Sequence, residues 1–418
     1  MTTAAVRPVS ARYDATISVP PSQPTRERLI SLDVFRGLTI AGMLLVNNPG
    51  TWSAIFPPLE HAEWNGWTPT DLIFPFFLFI VGITTHLSLS ARRARGDDDS
   101  AIVKQILRRG IVIYLLGLAM AMVPFYQWGT ITAIPNATAW DRIIYRIEHV
   151  RILGVLPRIG IVYICAALLT LKTTLKQQIV IIAALLYGYW FAMTLIPVPG
   201  QGEIGALLLH TKDRNLAAYL DRLILGTNHI WTGGVTFDPE GPLSTIPAIA
   251  TAMLGVIAGR WIALKEKPLL ERVCALFVAG SIGMVLGLMW NWAFPINKSL
   301  WTSSYVLFTA GMACVSLATV MWIVDYQNVR WWTKPWVVFG VNPIVAFVGS
   351  GVMARLIYTL WHVGYQGESI AMQDAIYRIV FLPWLSPRVA SLAFAISFVL
   401  LWYGILLVLY RRKIFLRV

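Results

Sequence analysis

Charged residues and cysteine are both scarce in this sequence. Asp, Glu, Lys and Arg together make up 13% of its 418 residues, about half the share of a typical soluble domain. Apolar residues make up 57%, which leaves too little polar side chain to cover the surface of a soluble fold and excludes intrinsic disorder and a coiled coil. The three cysteines, Cys165, Cys274 and Cys314, stand far apart in apolar stretches. That placement excludes a disulfide scaffold and favours small buried residues.

Several motifs of soluble enzymes are also absent. The sequence has no Gly-rich phosphate motif, no GxSxG and no CxxC, so nucleotide and nucleophile sites of soluble type lack support. The histidines form neither HxxxH nor HExxH, and we expect no metal site. The net charge of +13 would suggest nucleic acid in a soluble protein. Beside long apolar runs it is typical of basic residues that flank membrane spans, and we expect no nucleic acid partner.

Apolar runs of about 20 residues, the length that crosses a bilayer, predict an all-α polytopic membrane protein. We expect about ten transmembrane helices, at 30–48, 71–91, 103–125, 152–171, 178–197, 243–263, 273–294, 301–324, 336–354 and 388–410. The predicted organisation is a polar cytoplasmic tail at 1–28, a single transmembrane domain at 29–410 and a basic cytoplasmic tail at 411–418. The first tail lacks the apolar core of a signal peptide.

The sidedness follows from the basic residues. An even number of spans puts both termini on one side, and placing them in the cytoplasm puts most Lys and Arg residues outside the spans on that side. The opposite side then carries the long loops 49–70, 126–151, 198–242 and 355–387. Long loops on one side predict that binding or chemistry faces it. No internal repeat is evident, which disfavours transporters built from inverted repeats.

The first span carries a line of polar residues. Asp33 and Arg36 are three positions apart, so they share a helix face and can pair. Asn47 lies eleven positions beyond Arg36, about three turns further along the same face. Ionisable residues inside a span are functional candidates. The alternative is a structural ion pair and an amide at the helix end.

A histidine follows this span in a short loop. His61 is a candidate general base, because imidazole gives and takes a proton near neutral pH. An ordinary loop histidine is the alternative. Thr70 and Asp71 stand at the start of the second span, where Thr70 is predicted to cap the helix and Asp71 to suit its positive end. A functional carboxylate is the other interpretation of Asp71.

Further polar residues complete the candidate set. Arg158 and Lys298 are the cations that we expect near an anionic ligand. Asn342 precedes Pro343 in the ninth predicted span, where Pro frees a backbone carbonyl and Asn can line a cavity. Packing and turn roles are the alternatives for each. The remaining binding candidates are Asn65, Glu240, Asn297 and Trp301.

Taken together, these segments resemble the heparan-α-glucosaminide N-acetyltransferase family of transmembrane acyltransferases. Single segments are weak signals, but their order along the chain is specific. They extend over residues 28–355 and are Arg28–Gly37, Val46–Asn47, His61–Gly66, Thr70–Leu72, Arg151–Gly160, Asp238–Gly241, Asn297–Trp301 and Val341–Pro343.

The resemblance implies an enzyme that moves acetyl from acetyl-CoA, its co-substrate, to the amine of a terminal glucosamine. His61 occupies the position of the family's catalytic histidine, and Asn47 that of its partner asparagine. An amino-sugar acceptor, the lipid bilayer and a second copy of the chain are the implied partners. The residues expected to bind sugar or CoA are Asp33, Arg36, Asn65, Asp71, Arg158, Glu240, Asn297, Lys298, Trp301 and Asn342.

Compared with the lysosomal member of the family, we expect a short polar tail in place of the lumenal region and the extra first span. We therefore expect a bacterial-type member in the inner membrane, with its active site toward the periplasm and glucosamine or a related amino sugar as acceptor. One alternative is an amino-sugar or small-solute transporter, which would use Asp33, Arg36 and Asn342 as its path. Another is an O- or N-acyltransferase that acts on a cell-surface glycan. Binding of acetyl-CoA separates the transporter from the enzymes.

Overall fold

The computed structural model describes residues 29–416. Within that range ten helices are long and apolar enough to cross a bilayer, which confirms the predicted all-α, multi-pass class. These helices are α1 (Ile30–Asn47), α2 (Ile73–Ala94), α3 (Asp99–Met122), α5 (Val155–Lys172), α6 (Leu175–Leu195), α9 (Pro242–Ile262), α10 (Leu269–Trp290), α11 (Ser303–Met321), α13 (Pro343–Arg355) and α15 (Pro387–Arg411). A 3₁₀ turn, Pro69–Leu72, precedes α2, and π-helical turns extend α11 through Trp322–Tyr326 and α13 through Leu356–Leu360.

Shorter elements lie in the connections between these helices. They are α4 (Ala139–Glu148), α7 (Gly205–Leu208), α8 (Leu216–Leu225), α12 (Lys334–Val341), α14 (Met372–Ile376), the 3₁₀ turn Pro57–Leu59 and the π-helical turn Tyr377–Phe381. Strands β1 (His362–Tyr365) and β2 (Glu368–Ala371) form an antiparallel hairpin that pairs His362 with Ala371. The predicted tail at 1–28 and the last two residues of the predicted tail at 411–418 lie outside the described residues.

The ninth predicted span, 336–354, was wrong at its start. Residues 334–341 form a separate short helix, and the long apolar helix begins at Pro343 and reaches Leu360. Pro343 occupies the first helical position, where its missing N–H costs no hydrogen bond, so it starts a helix here and does not kink one. The cysteines are free thiols as expected, but Cys274 is exposed on α10 and is not a buried packing residue.

Glycines allow the two central helices to approach closely. A Cβ atom at Gly82 of α2 would lie 1.9 Å from the carbonyl oxygen of Ala252 in α9. A Cβ atom at Gly255 of α9 would lie 2.1 Å from the carbonyl oxygen of Phe79 in α2. The backbones of α9 and α2 are therefore in direct contact, and most residues of α9 are buried.

The long connections meet on one side of the bundle. Hydrogen bonds between them join Trp64 to Leu209, Ile152 to His229 and Gln373 to Gly50. We call this side the loop face; it is formed by residues 48–68, 123–154, 196–241 and 361–386. The end of α1 and the starts of α2, α5 and α9 reach this face, and side chains of α1, α2 and α5 line the site described next.

Candidate active site

A cavity of about 560 Å³ lies between the loop face and the helix bundle. Its inner wall is apolar and comes from the last turn of α1 and the first turns of α2, α5 and α13, through Met43, Ile73, Phe74, Phe77, Val155, Leu156, Ile159, Ile344 and Phe347. Its outer wall carries the ionisable side chains His61, Glu63, Asp71, Arg151, Lys212, Glu240 and Lys298. An apolar channel with a few converging polar groups is the usual form of a small-molecule site.

His61 and Asp71 form a hydrogen-bonded pair in this cavity. Nδ1 of His61 lies 2.6 Å from Oδ1 of Asp71. The Asp71 side chain is 1% exposed, whereas that of His61 is 48% exposed. Since a buried carboxylate accepts hydrogen bonds only, this contact places the proton on Nδ1 and leaves Nε2 as the basic nitrogen.

The position of Asp71 is set by the turn before α2. Its Oδ2 accepts hydrogen bonds from the backbone N–H groups of Ala62 and Thr68, both at 3.0 Å, and from the Thr68 hydroxyl at 3.2 Å. Thr68 and Asp71 thus form the capping box of the Pro69–Leu72 turn. The predicted cap, Thr70, is wrong: its hydroxyl donates to the carbonyl of Pro58. One oxygen of Asp71 is therefore structural, and the other holds the imidazole.

Lys298 is the cation closest to the pair. Its Nζ lies 3.0 Å from Nδ1 and 3.2 Å from Nε2 of His61, and 3.4 Å from Oδ1 of Asp71. Burial lowers the pKa of Lys298, although the charges of Asp71 and Glu240 oppose the change. The site therefore combines a histidine, a carboxylate and an ammonium group within hydrogen-bond distance of one another.

A strained turn presents Lys298. The backbone of Trp301 adopts a left-handed conformation, with φ of 51°, which is costly for a large side chain. The buried Asn297 holds the turn, because its Oδ1 accepts the N–H of Leu300 and its Nδ2 donates to Asn65. Asn65, Asn297 and Trp301 are thus brought to the site as supports for the turn.

Asn47 ends α1 at the wall of the same cavity. It is exposed, and the structure gives its side chain no hydrogen bond to any of residues 29–416. An amide without a protein partner is available to a ligand. The structure therefore brings Asn47 and His61, the two catalytic candidates, to one cavity.

Arg151 joins two acidic residues at the cavity edge. It donates to both oxygens of Asp238, at 2.9 Å and 2.5 Å, and to Glu240. Burial alone would lower the pKa of Arg151, but the two carboxylates raise it overall. For Glu240 the two effects are reversed. Burial acts to raise its pKa, but the positive charges of Arg151, Arg158 and Lys298 have the larger effect, so the pKa of Glu240 is lowered. Glu240 therefore lines the cavity as a carboxylate.

Arg158 lies behind this cluster and does not reach the cavity. It is completely buried in α5, donates to Ser244 and to the carbonyl of Gly241, and stacks over the Trp301 ring at 5.1 Å. Its Nε and Nη1 have no hydrogen-bond partner among the described residues. Asp221, also buried, accepts the N–H of Asp238 at 2.9 Å. Burial raises the pKa of Asp221 to about 7.

Three predicted site residues are used in packing at a distance from the cavity. The expected pair of Asp33 and Arg36 forms, at 2.5 Å, and Arg36 also donates to the carbonyl of Gly340 at 2.6 Å. Arg36 therefore binds α1 to α12, and Asp33 holds the guanidinium group of Arg36. The amide of Asn342 bonds the carbonyl of Ile414 and the N–H of Leu416. Its neighbours Pro343 and Ile344, not Asn342 itself, line the cavity.

Sequence reasoning left out several residues of the cavity. Arg151 is not among the candidates taken from the sequence, although it begins the segment Arg151–Gly160 that carries the family resemblance. Trp64 and Trp231 are not among them either, but both line the cavity, where their rings contact Phe237. Glu63 follows His61 closely in sequence and also lines it. Their proximity to His61 in sequence, or to a matching segment, was the available signal.

Comparison with known proteins decides the family. The model of the family described as "Heparan-alpha-glucosaminide N-acetyltransferase, catalytic" matches residues 28–277, more than half of the chain. The chain belongs to this family. The match includes Asn47, His61, Asp71 and Glu240 and ends before Lys298.

Two curated members of the heparan-α-glucosaminide N-acetyltransferase family are similar to this chain. The protein of that name from Mus musculus is 30% identical over 457 residues, which cover 98% of this chain and 63% of the mouse protein. The one from Homo sapiens is 31% identical over 380 residues, which cover 80% of this chain and 54% of the human protein. The chain thus spans less than two thirds of the length of these relatives.

Proposed function

We propose that this protein is an acetyltransferase that moves acetyl from acetyl-CoA to the amine of an amino sugar in the cavity at the loop face. The observation that carries the proposal is the 2.6 Å contact of His61 with the buried Asp71, in a cavity that Asn47 also lines. A histidine oriented by a carboxylate is the usual arrangement of a general base. The names of the two similar proteins support the choice of acetyl transfer and of an amino-sugar acceptor.

The reaction needs one base and one oxyanion donor. The amine of the acceptor attacks the thioester carbonyl carbon, and a C–N bond forms as the carbonyl oxygen becomes an oxyanion. Nδ2 of Asn47 donates a hydrogen bond to that oxygen. Nε2 of His61 takes the proton that the amine must lose. The intermediate collapses by breaking the C–S bond, and the CoA thiolate receives the proton from His61.

Lys298 has a supporting electrostatic role in this scheme. Its ammonium group lies beside the imidazole, so it faces the negative charge that develops on the oxyanion and then on the thiolate. Asp71 keeps the imidazolium oriented while it holds the transferred proton. An acetyl-histidine intermediate is the alternative course, in which Nε2 of His61 attacks the thioester before the amine arrives.

The cavity mouth suits an amino sugar. Trp64 and Trp231 offer aromatic faces that can cover a sugar ring, and Glu63 and Glu240 offer carboxylates to hydroxyl and ammonium groups. The apolar inner wall suits the pantetheine arm of acetyl-CoA. We place the nucleotide toward the opposite side of the bundle from the loop face.

The sidedness is part of the proposal. We infer that the loop face is extracytoplasmic, with both termini in the cytoplasm of a bacterial cell, because basic residues concentrate on the side opposite to the loop face. Labelling of a cysteine placed at Trp128, an exposed residue of the loop face, by an impermeant reagent in intact cells tests this orientation. A homodimer stays a prediction from the family resemblance.

The function is tested by release of CoA thiol from acetyl-CoA by the purified protein, with and without glucosamine. We expect glucosamine-dependent release that His61→Ala abolishes. His362→Ala is the matched control, because His362 is an exposed histidine of the β-hairpin on the same face, and it should keep wild-type activity. Neither thiol release nor acetyl-CoA binding by the wild type would contradict the proposal and favour a transporter. Release with hydroxyl acceptors alone would favour an O-acyltransferase.

A further inference from the structure

A second cavity, of about 300 Å³, adjoins the candidate active site. Met43, Asn47 and Phe347 line both cavities and form the wall between them. The second cavity extends along α13, past Ser350, to Arg355. Arg355 is the one charged residue in its lining as the structure describes it, so we call this cavity the Arg355 groove.

Among the described residues, none neutralises the charge of Arg355. Its guanidinium donates one hydrogen bond, at 3.2 Å, to the carbonyl of Gly351 one turn earlier in α13. No carboxylate in residues 29–416 pairs with it. A second cation, Arg146, lies near enough to repel it, and within the described part of the chain it donates to the backbone carbonyls of Ala121 and Pro124. Two guanidinium groups therefore lie near one another, and no carboxylate of residues 29–416 pairs with either of them.

This arrangement of cations favours the binding of an anion. A charged side chain within a span is normally paired, because an unpaired charge is costly in a medium of low polarity. The planar guanidinium group binds phosphate and carboxylate through two parallel hydrogen bonds. The groove adds the amide of Asn47 and the hydroxyl of Thr359 as donors without a protein partner among the described residues, and it contains no carboxylate there.

The two cavities that meet at Asn47 differ in charge. The candidate active site carries three acidic and three basic side chains, which are Glu63, Asp71, Glu240, Arg151, Lys212 and Lys298. The groove carries Arg355, which suits an acid. We propose that the Arg355 groove binds a phosphate or carboxylate group.

We assign this phosphate or carboxylate group to the acceptor, an amino sugar that also carries an acidic substituent. This assignment rests on the proposed function. A phospholipid head group is the other source of the same chemistry.

The first test compares two acceptors, glucosamine and glucosamine 6-phosphate, with the protein in nanodiscs of phosphatidylcholine. We expect the wild type to favour the phosphorylated acceptor by about tenfold or more in kcat/KM, the effect of one charge-assisted contact. Arg355→Gln should remove that preference and leave kcat/KM for glucosamine unchanged. Arg355→Lys should restore part of it. Arg378→Gln, which removes an exposed arginine elsewhere on the loop face, should change neither value.

The second test needs no turnover. Modification of Arg355 by phenylglyoxal is followed by mass spectrometry in the same nanodiscs, with glucosamine 6-phosphate, with inorganic phosphate, or with phosphatidylglycerol in place of part of the lipid. Protection by the sugar phosphate supports a site for the acceptor's acid. Protection by phosphatidylglycerol alone supports an anion site and assigns it to lipid.

Equal use of the two acceptors, together with no protection by any of the three anions, would overturn the proposal. If neither acceptor is acetylated, the proposed function fails, and the modification experiment still decides whether the groove binds an anion. The two failures are therefore distinguishable.

Discussion

Replacing Asp71 by asparagine should disable the proposed base while preserving the fold. In the structure, Oδ2 of Asp71 accepts hydrogen bonds from the N–H groups of Ala62 and Thr68, both at 3.0 Å, and from the Thr68 hydroxyl. Because three donors converge on the Oδ2 position, the introduced asparagine must place its amide oxygen there. Its NH₂ group must then point to Nδ1 of His61. Nδ1 then has to accept a hydrogen bond, and the proton moves to Nε2, the nitrogen that the base requires unprotonated.

The size of the effect follows from this change of tautomer. General base catalysis contributes about 10²–10⁴ in rate, and a wrong histidine tautomer costs about 10⁴ in serine proteases. We therefore expect Asp71→Asn to lower kcat by about 10²–10⁴. Because the Asp71 side chain is 1% exposed, its direct contact with the acceptor is small, and KM should change much less than kcat.

The assay is thiol release at saturating acetyl-CoA and acceptor, with the melting temperature as a check on folding. Asp141→Asn is the matched control: Asp141 makes the same capping box, accepting the N–H and hydroxyl of Thr138 at 2.8 Å and 2.7 Å, and no histidine contacts its carboxylate in the described structure. It should retain the wild-type kcat. Wild-type turnover by folded Asp71→Asn would refute the assignment of His61 as a base oriented by Asp71.

Four further changes have defined outcomes. Asn47→Ala should lower kcat by about 10²–10³, the usual cost of losing an oxyanion donor, without changing the melting temperature; wild-type kcat would contradict its role. Arg151→Met should destabilise the fold by about 3–5 kcal/mol in chemical unfolding, because Asp238 and Glu240 lose their shared partner; an unchanged unfolding midpoint would argue against the cluster. Burial raises the pKa of Asp221 from 3.8 to about 7. Between these pH values the folded protein holds a proton that the unfolded chain has released. The stability that Asp221 contributes therefore falls as pH rises from 3.8 to about 7. Asp221→Asn should therefore remove part of the loss of melting temperature between pH 5 and pH 8, and equal pH profiles would refute the shift. Gly82→Ala should destabilise by about 1–3 kcal/mol through overpacking against Ala252, whereas Gly188→Ala, where no described atom outside its own helix lies within 4 Å of the new Cβ, should be neutral.

The spanning helices could be predicted from sequence because length and hydropathy are local properties. Nine predicted spans agree closely with the helices of the structure. The ninth failed at Pro343, since a proline within an apolar run either kinks a helix or begins one, and the choice depends on contacts outside the run. Here those contacts are the bonds of Asn342 to Ile414 and Leu416. The helix α4 was missed in a loop although its capping box, Thr138 with Asp141, is readable in the sequence.

Several residues of the candidate site could be predicted from the sequence, but most contacts between them could not. The three-residue spacing of Asp33 and Arg36 predicted their ion pair, because helix geometry fixes that distance. His61 and Asp71 were both named, yet the loop between them gives no such rule. The contact of Lys298 with His61 joins positions 237 residues apart and depends on how α11 packs against α2. Contacts of that kind require the folded chain.

The central claim is tested most directly by following the acetyl group itself. Purified protein in excess over acetyl-CoA with a ¹³C-labelled acetyl group is mixed with glucosamine, and the labelled N-acetylglucosamine is quantified by mass spectrometry against the acetyl-CoA consumed. We expect one labelled product for each acetyl-CoA consumed by the wild type and almost none with His61→Ala or Asp71→Asn. Consumption of acetyl-CoA without N-acetylated product, or equal product from His61→Ala, would contradict acetyl transfer by this site.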